Sequence, residues 1–420
     1  MKALVFERNL PRVAASRVAS IFGSGRGAGI GPLQLLDADP PDLPGAHWHR
    51  LDPLLSGICG SDLATLDGRS SRYFEDIVSF PFVPGHEVVG VLPDGGTARD
   101  GSVLAPGSRA VLEPVLGCAP RAIEPHCPAC AAGATNDCAN LAFGALAPGL
   151  QTGFCTDTGG GWSTAGLVAH ASQLTAVPDD FSDEAAVIVE PAACGVHAAL
   201  AGGITPGDTV AVLGAGTLGL ATVAALHHLV RPTSPCTVVV GARYPHQRQL
   251  AERLGADTVV PPAQLARAVR HATGSLVVAG RLAGGADVVF DCVGSAESLT
   301  QALAMVRPRG RVVLVGMPGK VSVDLAPLWH REIALVGAYT YGVEHHGAHG
   351  DRAAHGDTDD GRRTFDLALD LVRDADLGSL VSATYPLDRY EEAIAHAGSA
   401  GRRGAVKVAF DLRNRKGRTR

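Results

Sequence analysis

The stretch Val210-Ala211-Val212-Leu213-Gly214-Ala215-Gly216-Thr217-Leu218-Gly219 constrains the fold more than any other in this 420-residue chain. An apolar run stops at a glycine turn, and a helix-compatible segment follows to residue 229. In a strand–turn–helix unit of this kind, the first glycine permits the tight turn. The second lets a pyrophosphate approach the backbone, and the third packs helix on strand. The helix start offers unpaired N–H groups to the phosphates. Residues 209–230 are apolar enough to mimic a membrane span. Three glycines and the pair His227 and His228 favour a buried strand and helix instead.

The alternation continues downstream. Apolar runs at 209–213, 237–240, 258–260, 287–291, 311–315 and 333–338 predict strands. Stretches 217–229, 246–254, 264–272 and 296–306 predict helices between them. Strands spaced by helices predict a doubly wound parallel sheet. Residues 1–190 are turn-rich with short β-like runs, beginning with a strand at Met1–Phe6. Helical runs at 364–374 and 388–397 and a strand at 405–410 close the chain, ahead of a basic tail, 413–420. The glycine-rich segment 23–31 resembles a phosphate loop in composition but lacks the Lys-Ser/Thr ending, and is expected to be a flexible surface loop. His345, His346, His349 and His355 lie in a polar stretch, 344–363, expected to be a solvated loop.

A length of 420 residues accommodates two domains. Apolar residues make up 46% and charged residues 19%, a globular composition. The net charge of −6 gives no electrostatic reason to expect nucleic acid or an anionic membrane as partner. No signal-peptide pattern opens the sequence, so a reducing cytoplasm is expected. The nine cysteines then read as metal ligands and core residues.

The end of the second strand selects the nucleotide. Val238-Val239-Val240-Gly241-Ala242-Arg243 carries no acidic residue to bind a ribose 2′-hydroxyl. Gly241 and Ala242 leave room, and Arg243, helped by Arg248, suits a 2′-phosphate. NADP(H) is the expected cofactor.

Two groups of residues suit a borderline-soft cation such as zinc. Cys118, Cys127, Cys130 and Cys138 fall within 21 residues and predict a closed four-thiolate structural site, with Glu124 as the substitute should Cys118 not reach. Cys59 and His86 form half of a second site. Glu190, a carboxylate in the apolar run Val187-Ile188-Val189-Glu190, is the first candidate for third ligand, and Glu87 the second. A Cys–His–Glu set leaves one position open, as catalytic zinc requires. Ser61 lies two residues from Cys59. Trp48, Phe74, Phe82 and Trp162 are expected in the core ahead of any pocket wall.

Taken together, Gly57-Ile58-Cys59-Gly60-Ser61-Asp62, Gly85-His86-Glu87-Val88-Val89-Gly90, the four-cysteine lobe, Glu190-Pro191, the Gly214–Gly219 turn, Asp287–Gly294 and Tyr385–Ala393 resemble the zinc-dependent alcohol and polyol dehydrogenases of the medium-chain dehydrogenase/reductase family. The resemblance covers nearly the whole chain. It implies a GroES-like, mainly β catalytic domain at both chain ends with a Rossmann doubly wound parallel sheet between them. The corresponding bounds are 1–190, with a zinc lobe at about 113–140, then 191–340, then a return at 341–420. Cys59, His86 and Glu190 (or Glu87) would carry catalytic zinc in a cleft beside the nicotinamide, and Ser61 would start the proton path. Gly214, Gly216, Thr217, Leu218, Gly219, Gly241, Ala242, Arg243 and Arg248 would hold NADP(H). The reaction implied is hydride transfer between the cofactor and a small alcohol or carbonyl substrate. A homodimer or homotetramer is expected.

Three departures from the family pattern stand out. Cys118 and Cys127 are separated by eight residues where the family has two, a six-residue insertion. Position 64, where many members carry a relay histidine, is alanine. Segments 8–50 and 344–363 are longer than usual. Ala64 also admits a second reading, a zinc enzyme of elimination, rearrangement or hydration on the same scaffold.

Overall fold

Five consecutive buried residues, Thr209–Leu213, form the central strand of a six-stranded sheet in the computed structural model of the protein, which describes residues 1–279, 281–344 and 361–413. β-Branched residues on both faces suit a strand covered on each side. The sheet order is Thr258–Val260, Thr237–Gly241, Thr209–Leu213, Ala286–Asp291, Val306–Leu314, Ala334–Gly337, all parallel. Numbered along the chain this is 3-2-1-4-5-6, the Rossmann order, whose switch point falls beside the first strand. The Gly214–Gly219 turn leaves that strand at the switch point and opens the helix Thr217–Ala225. The expected helix 217–229 ends its α-helical part at Ala225 and widens into a π-helical turn, Leu226–Val230.

The three glycines of the turn do different things. Gly214 adopts φ +92°, which a side chain would strain. A Cβ at Gly219 would stand 1.9 Å from the Gly214 carbonyl oxygen, so the strand and helix could not close. A Cβ at Gly216 would meet nothing within 4 Å.

Internal contacts divide the chain into one unit of Met1–Glu190 with Gly378–Arg420, and another of Pro191–Leu377. The return, expected at 341, therefore comes at 378. The hairpin Val343–Glu344 with Arg362–Arg363 and the helix Thr364–Asp374 belong with the Rossmann sheet. There the Glu344 carboxylate accepts from Thr364 Oγ1 at 2.8 Å and lies 2.7 Å from His197 Nδ1, a buried polar knot that local sequence does not announce. His345, His346, His349 and His355 lie outside the described residues.

The other unit is built on a mainly antiparallel sheet in the order Val381–Tyr385, Lys407–Asp411, Trp48–Gly57, Val88–Val91, Arg109–Leu112, Leu174–Ala176, with Leu167–His170 also paired to Trp48–Gly57. Trp48, Phe82 and Trp162 are buried in it, and Phe74 is half-buried. The helix Asp183–Ala201 is long and apolar enough to cross a membrane by length and composition. It is 78% buried within the fold and carries Glu190 and Pro191 in its interior.

Residues 23–31 differ from the expected flexible loop. Asp67 accepts hydrogen bonds from Ser24 Oγ (2.6 Å) and Gly25 N (3.0 Å), and Gly25, Gly27 and Ala28 are buried. A Cβ at Gly27 would collide with Ser16 at 2.3 Å. These glycines are close-packing residues, and composition alone cannot tell that use from flexibility.

Gly219→Ala is expected to destabilise the chain by about 1–3 kcal/mol through overpacking of helix on strand, read as a fall in the denaturation midpoint without added nucleotide.

Candidate metal and nucleotide sites

Three adjacent strands converge on one metal-ligand cluster. Lys407–Asp411 pairs with Trp48–Gly57 through Ala409 opposite Gly57, and Ser56 lies opposite Val88 on the next strand. Ile58 N donates to Val408 O, and Gly57 N donates to Glu87 O, both at 2.9 Å. The chain beyond Gly57 turns into the helix Gly60–Leu66, with Cys59 extended at its N-cap. Asp62 in the first turn accepts from Cys59 N at 2.9 Å, as in a capping box. This fixes the thiol above the segment that carries His86 and Glu87.

The ligand atoms of Cys59, His86 and Glu87 lie within 4.8 Å of one another. His86 is buried, with Nδ1 3.5 Å from Asp62 Oδ1 and its ring 5.9 Å from that of Phe154. Burial alone would expel a proton from His86. Asp62 and Cys59 outweigh it and hold the pKa well above the usual imidazole range. A thiolate, an imidazole and a carboxylate match zinc's preferred donors.

Glu87, the second candidate for third ligand, is the carboxylate that the structure places in this cluster. Glu190 is buried but does not join the group in which all ligand atoms lie within 4.8 Å. Both oxygens of Glu87 accept from Lys407 Nζ, at 2.6 and 2.7 Å. Lys407 is 4% exposed and also reaches Ile58 O at 3.4 Å. Burial disfavours its charge, but Glu87 foremost, then Cys59 and Glu190, raise its pKa. A Cβ at Gly57 would fall 1.8 Å from Glu87 Oε2, so this glycine leaves the carboxylate its place. Trp162 Nε1 donates to Gly57 O at 3.2 Å and holds the strand there. Sequence reading missed Asp62, Lys407 and Gly57. Asp62 and Gly57 stood inside the quoted motif, whereas Lys407 had no local signal.

Ser61 is half-buried in the helix Gly60–Leu66. Its carbonyl accepts from Thr65 Oγ1 at 2.9 Å, and Thr65 Oγ1 is 3.0 Å from Ser70 Oγ. Ala64 leaves no imidazole on this face.

The four lobe cysteines also meet, with all sulfurs within 4.8 Å. Cys118 Sγ is 3.7 Å from Cys138 Sγ, and Cys127 Sγ is 4.0 Å from it. A tetrahedron with zinc–sulfur bonds of about 2.3 Å has edges of about 3.8 Å, so the spacing fits the ion. Burial opposes the Cys127 thiolate, but N–H groups of Cys130 and Ala139 prevail and lower its pKa to about 6. Burial pushes Cys130 upward and Cys138 up to about 11. Such a set becomes four thiolates only around a cation. Glu124 is not needed: its exposed side chain pairs with His126 at 3.1 Å.

At the nucleotide turn, Gly216 caps the helix Thr217–Ala225, with Leu218 and Gly219 in its first turn. Gly241 and Ala242 are buried at the end of the next strand, and Arg243 is exposed with its guanidinium 5.7 Å from the Tyr244 ring centroid. Arg248 Nη1 donates to Ala242 O (3.3 Å) and Arg243 O (3.1 Å), which ties the loop that follows the strand.

Two outcomes follow from the Cys59 cluster. Lys407→Met leaves the buried Glu87 charge unpaired and should cost roughly 3–5 kcal/mol of stability; adding Glu87→Gln should recover most of it, as measured by denaturant titration. Protons on His86 compete with zinc, so zinc retention against a chelator should fall as pH is lowered. In Asp62→Asn, which lowers the proton affinity of His86, the zinc-loading midpoint should move to lower pH.

Residues 45–179 match the alcohol dehydrogenase GroES-like domain family, and residues 217–349 match the zinc-binding dehydrogenase family. Sorbitol dehydrogenase of Arabidopsis thaliana is 29% identical over 388 residues, 91% of this chain and 93% of that protein. A putative D-xylulose reductase of Rhizobium meliloti is 30% identical over 361 residues, 85% of this chain and 89% of that protein. A putative zinc-binding dehydrogenase from Sinorhizobium meliloti, solved with NADP bound, superposes with a TM-score of 0.65 at 26% identity, over 90% of this chain and 95% of that one. With a GroES-like segment, a Rossmann sheet and relatives aligned along most of its length, the chain belongs to the zinc-dependent medium-chain alcohol and polyol dehydrogenases.

Proposed function

We propose that this oxidoreductase transfers hydride between NADP(H) and a polyol, acting on one secondary hydroxyl or its ketone. The observation that carries the reading is the approach of Cys59, His86 and Glu87 ligand atoms to within 4.8 Å. The polyol class is supported by relatives named for sorbitol, L-idonate and D-xylulose. Zinc held there supplies Lewis acidity toward the substrate oxygen, and the nicotinamide carries the hydride.

The chain's own residues do the rest. Cys59 and His86 hold the ion. Glu87 and Glu190 are the two carboxylates for the remaining protein position, with Lys407 occupying both Glu87 oxygens. The charges balance: three anions from Cys59, Glu87 and Glu190 offset a divalent ion and Lys407. Ser61 takes the substrate's hydroxyl proton. With Ala64 behind it, the proton passes on to water or the cofactor ribose. Phe154, against His86, helps to keep water from the reacting atoms.

NADP is favoured over NAD by the lack of an acidic residue at Gly241–Ala242 and by the exposed Arg243. The NADP-bound relative supports the same choice. The use of cysteines as clustered candidate metal ligands supports a cytoplasmic setting. The exposed edge strand Ala334–Gly337 supports a homo-oligomer, which light scattering would read.

The test follows reduced-nicotinamide absorbance with NADP(H) and NAD(H) over a panel of polyols and ketoses. NADP(H) should be preferred. Arg243→Ala should raise KM for NADP(H) about 10–100-fold, the loss of one charge-assisted contact, and leave KM for NAD(H) nearly unchanged. A zinc-loaded protein that binds NADP(H) and turns over no alcohol or carbonyl would sink the reading. Products of unchanged oxidation state would favour elimination, rearrangement or hydration.

A further inference from the structure

Arg121 lies in the stretch that lengthens the four-cysteine lobe between Cys118 and Cys127. Its side chain is wholly buried. Its donors go to carbonyl groups alone: Nε to Leu116 (3.0 Å), Nη1 to Phe143, Leu146 and Ala147 (3.0, 3.2 and 3.3 Å), and Nη2 to Ala147 and Gly149 (3.3 and 2.6 Å). Carbonyls satisfy hydrogen bonds but carry no net charge, and a guanidinium does not give up its proton inside a protein. A cation taken out of water this completely calls for an anion nearby.

The backbone holds Arg121 against the lobe: its N–H donates to Cys118 O at 3.1 Å, and its Nε is bonded two residues before that ligand, at Leu116 O. The acidic groups whose ionised forms would oppose the effect of burial on it are Cys155, Cys138, Asp157 and Cys118. Two of these belong to the lobe. Asp157 is half-buried, and its Oδ2 accepts from Ala147 N at 2.7 Å. Glu124 is exposed and paired with His126. Four thiolates around one divalent zinc ion retain two negative charges. The sulfurs already accept from N–H dipoles: Cys127 N and Asn140 Nδ2 reach Cys118 Sγ at 3.4 and 3.3 Å, Cys118 N reaches Cys130 Sγ at 3.5 Å, and Asn140 N reaches Cys138 Sγ at 3.3 Å. Dipoles soften a net charge without cancelling it.

We propose that Arg121 is the counter-cation of the four-cysteine zinc site, a fixed positive charge delivered by the inserted segment and held in place by the loop carbonyls 143–149. The charge offsets the net negative charge that four thiolates around one divalent ion retain. The carbonyl bonds keep it from reaching solvent.

The test uses the full-length chain in a Cys59→Ser background, so that only lobe metal is read. Zinc release to a chromogenic chelator and the thiolate-to-cobalt charge-transfer band of the cobalt-loaded protein are compared for Arg121→Met, Arg121→Lys and Asp157→Asn. Arg121→Met should release zinc about 10–100-fold faster, as expected for loss of an outer-shell partner, and should shift the band. Arg121→Lys, which keeps the charge and loses the planar fork, should restore slow release and the band position even where it melts earlier. Asp157→Asn should leave both unchanged. Should the Met variant not fold, Arg121→Gln replaces it, keeping donors without the charge. Equally fast release from the Lys and the neutral variants would overturn the proposal and leave Arg121 as a tie between loops. Release hastened as much by Asp157→Asn would overturn it in favour of an Arg121–Asp157 pair. A Cys59→Ser chain that binds no zinc would remove the lobe metal itself.

Discussion

The buried pair between Glu87 and Lys407 is the interaction on which the candidate catalytic cluster rests. The two residues are 320 positions apart, and both are almost wholly excluded from solvent. An unpaired charge of either sign could not persist there. The pair therefore forms only when three strands stand in register, Lys407–Asp411 beside Trp48–Gly57 beside Val88–Val91. That register also brings Cys59 to His86. A slip of one residue would turn each side chain to the opposite face of the sheet and separate the ligands. The charge pair and the metal cluster thus specify the same alignment, and each is evidence for the other's geometry.

The two metal clusters solve the problem of anionic ligands differently. In the lobe, most of the solution is local: four sulfurs within 21 residues, with backbone N–H groups of the same loop pointed at them. In the candidate catalytic cluster it is assembled from distant segments. Asp62 faces His86, Lys407 faces Glu87, and Gly57 contributes only empty space.

That contrast explains how far the sequence could be read. The Rossmann strands were legible because each is a short apolar run between turn residues, and Thr209–Leu213 was placed to the residue. The cysteine spacing was legible because a tetrahedral site closes over a short loop. Lys407 was not. In the alternating run Val406-Lys407-Val408 a lysine reads as solvent-facing, and only the neighbouring strands show that its face is inside. Arg121 was hidden likewise, since nothing in Cys118-Ala119-Pro120-Arg121 marks a buried cation. The return to the first unit comes later than local sequence suggests, because Glu344 and Thr364 are tied to His197, a residue far away in sequence. The choice between Glu190 and Glu87 also lay beyond sequence, as both stand in apolar surroundings.

The unequal duties of the glycines in the nucleotide turn have a consequence for how this protein could be taken apart. Gly214 and Gly219 serve the chain itself, one through its backbone angle and the other through the approach of helix to strand. Gly216 faces open space, where an added methyl group would meet no atom of the chain. Under the proposed function, folding and cofactor recognition, usually entangled in so short a loop, become separable at that single position. If the pyrophosphate of the proposed cofactor occupies that space, a methyl group there would leave the fold intact and remove the hydride carrier. Metal-dependent binding of substrate could then be observed by itself.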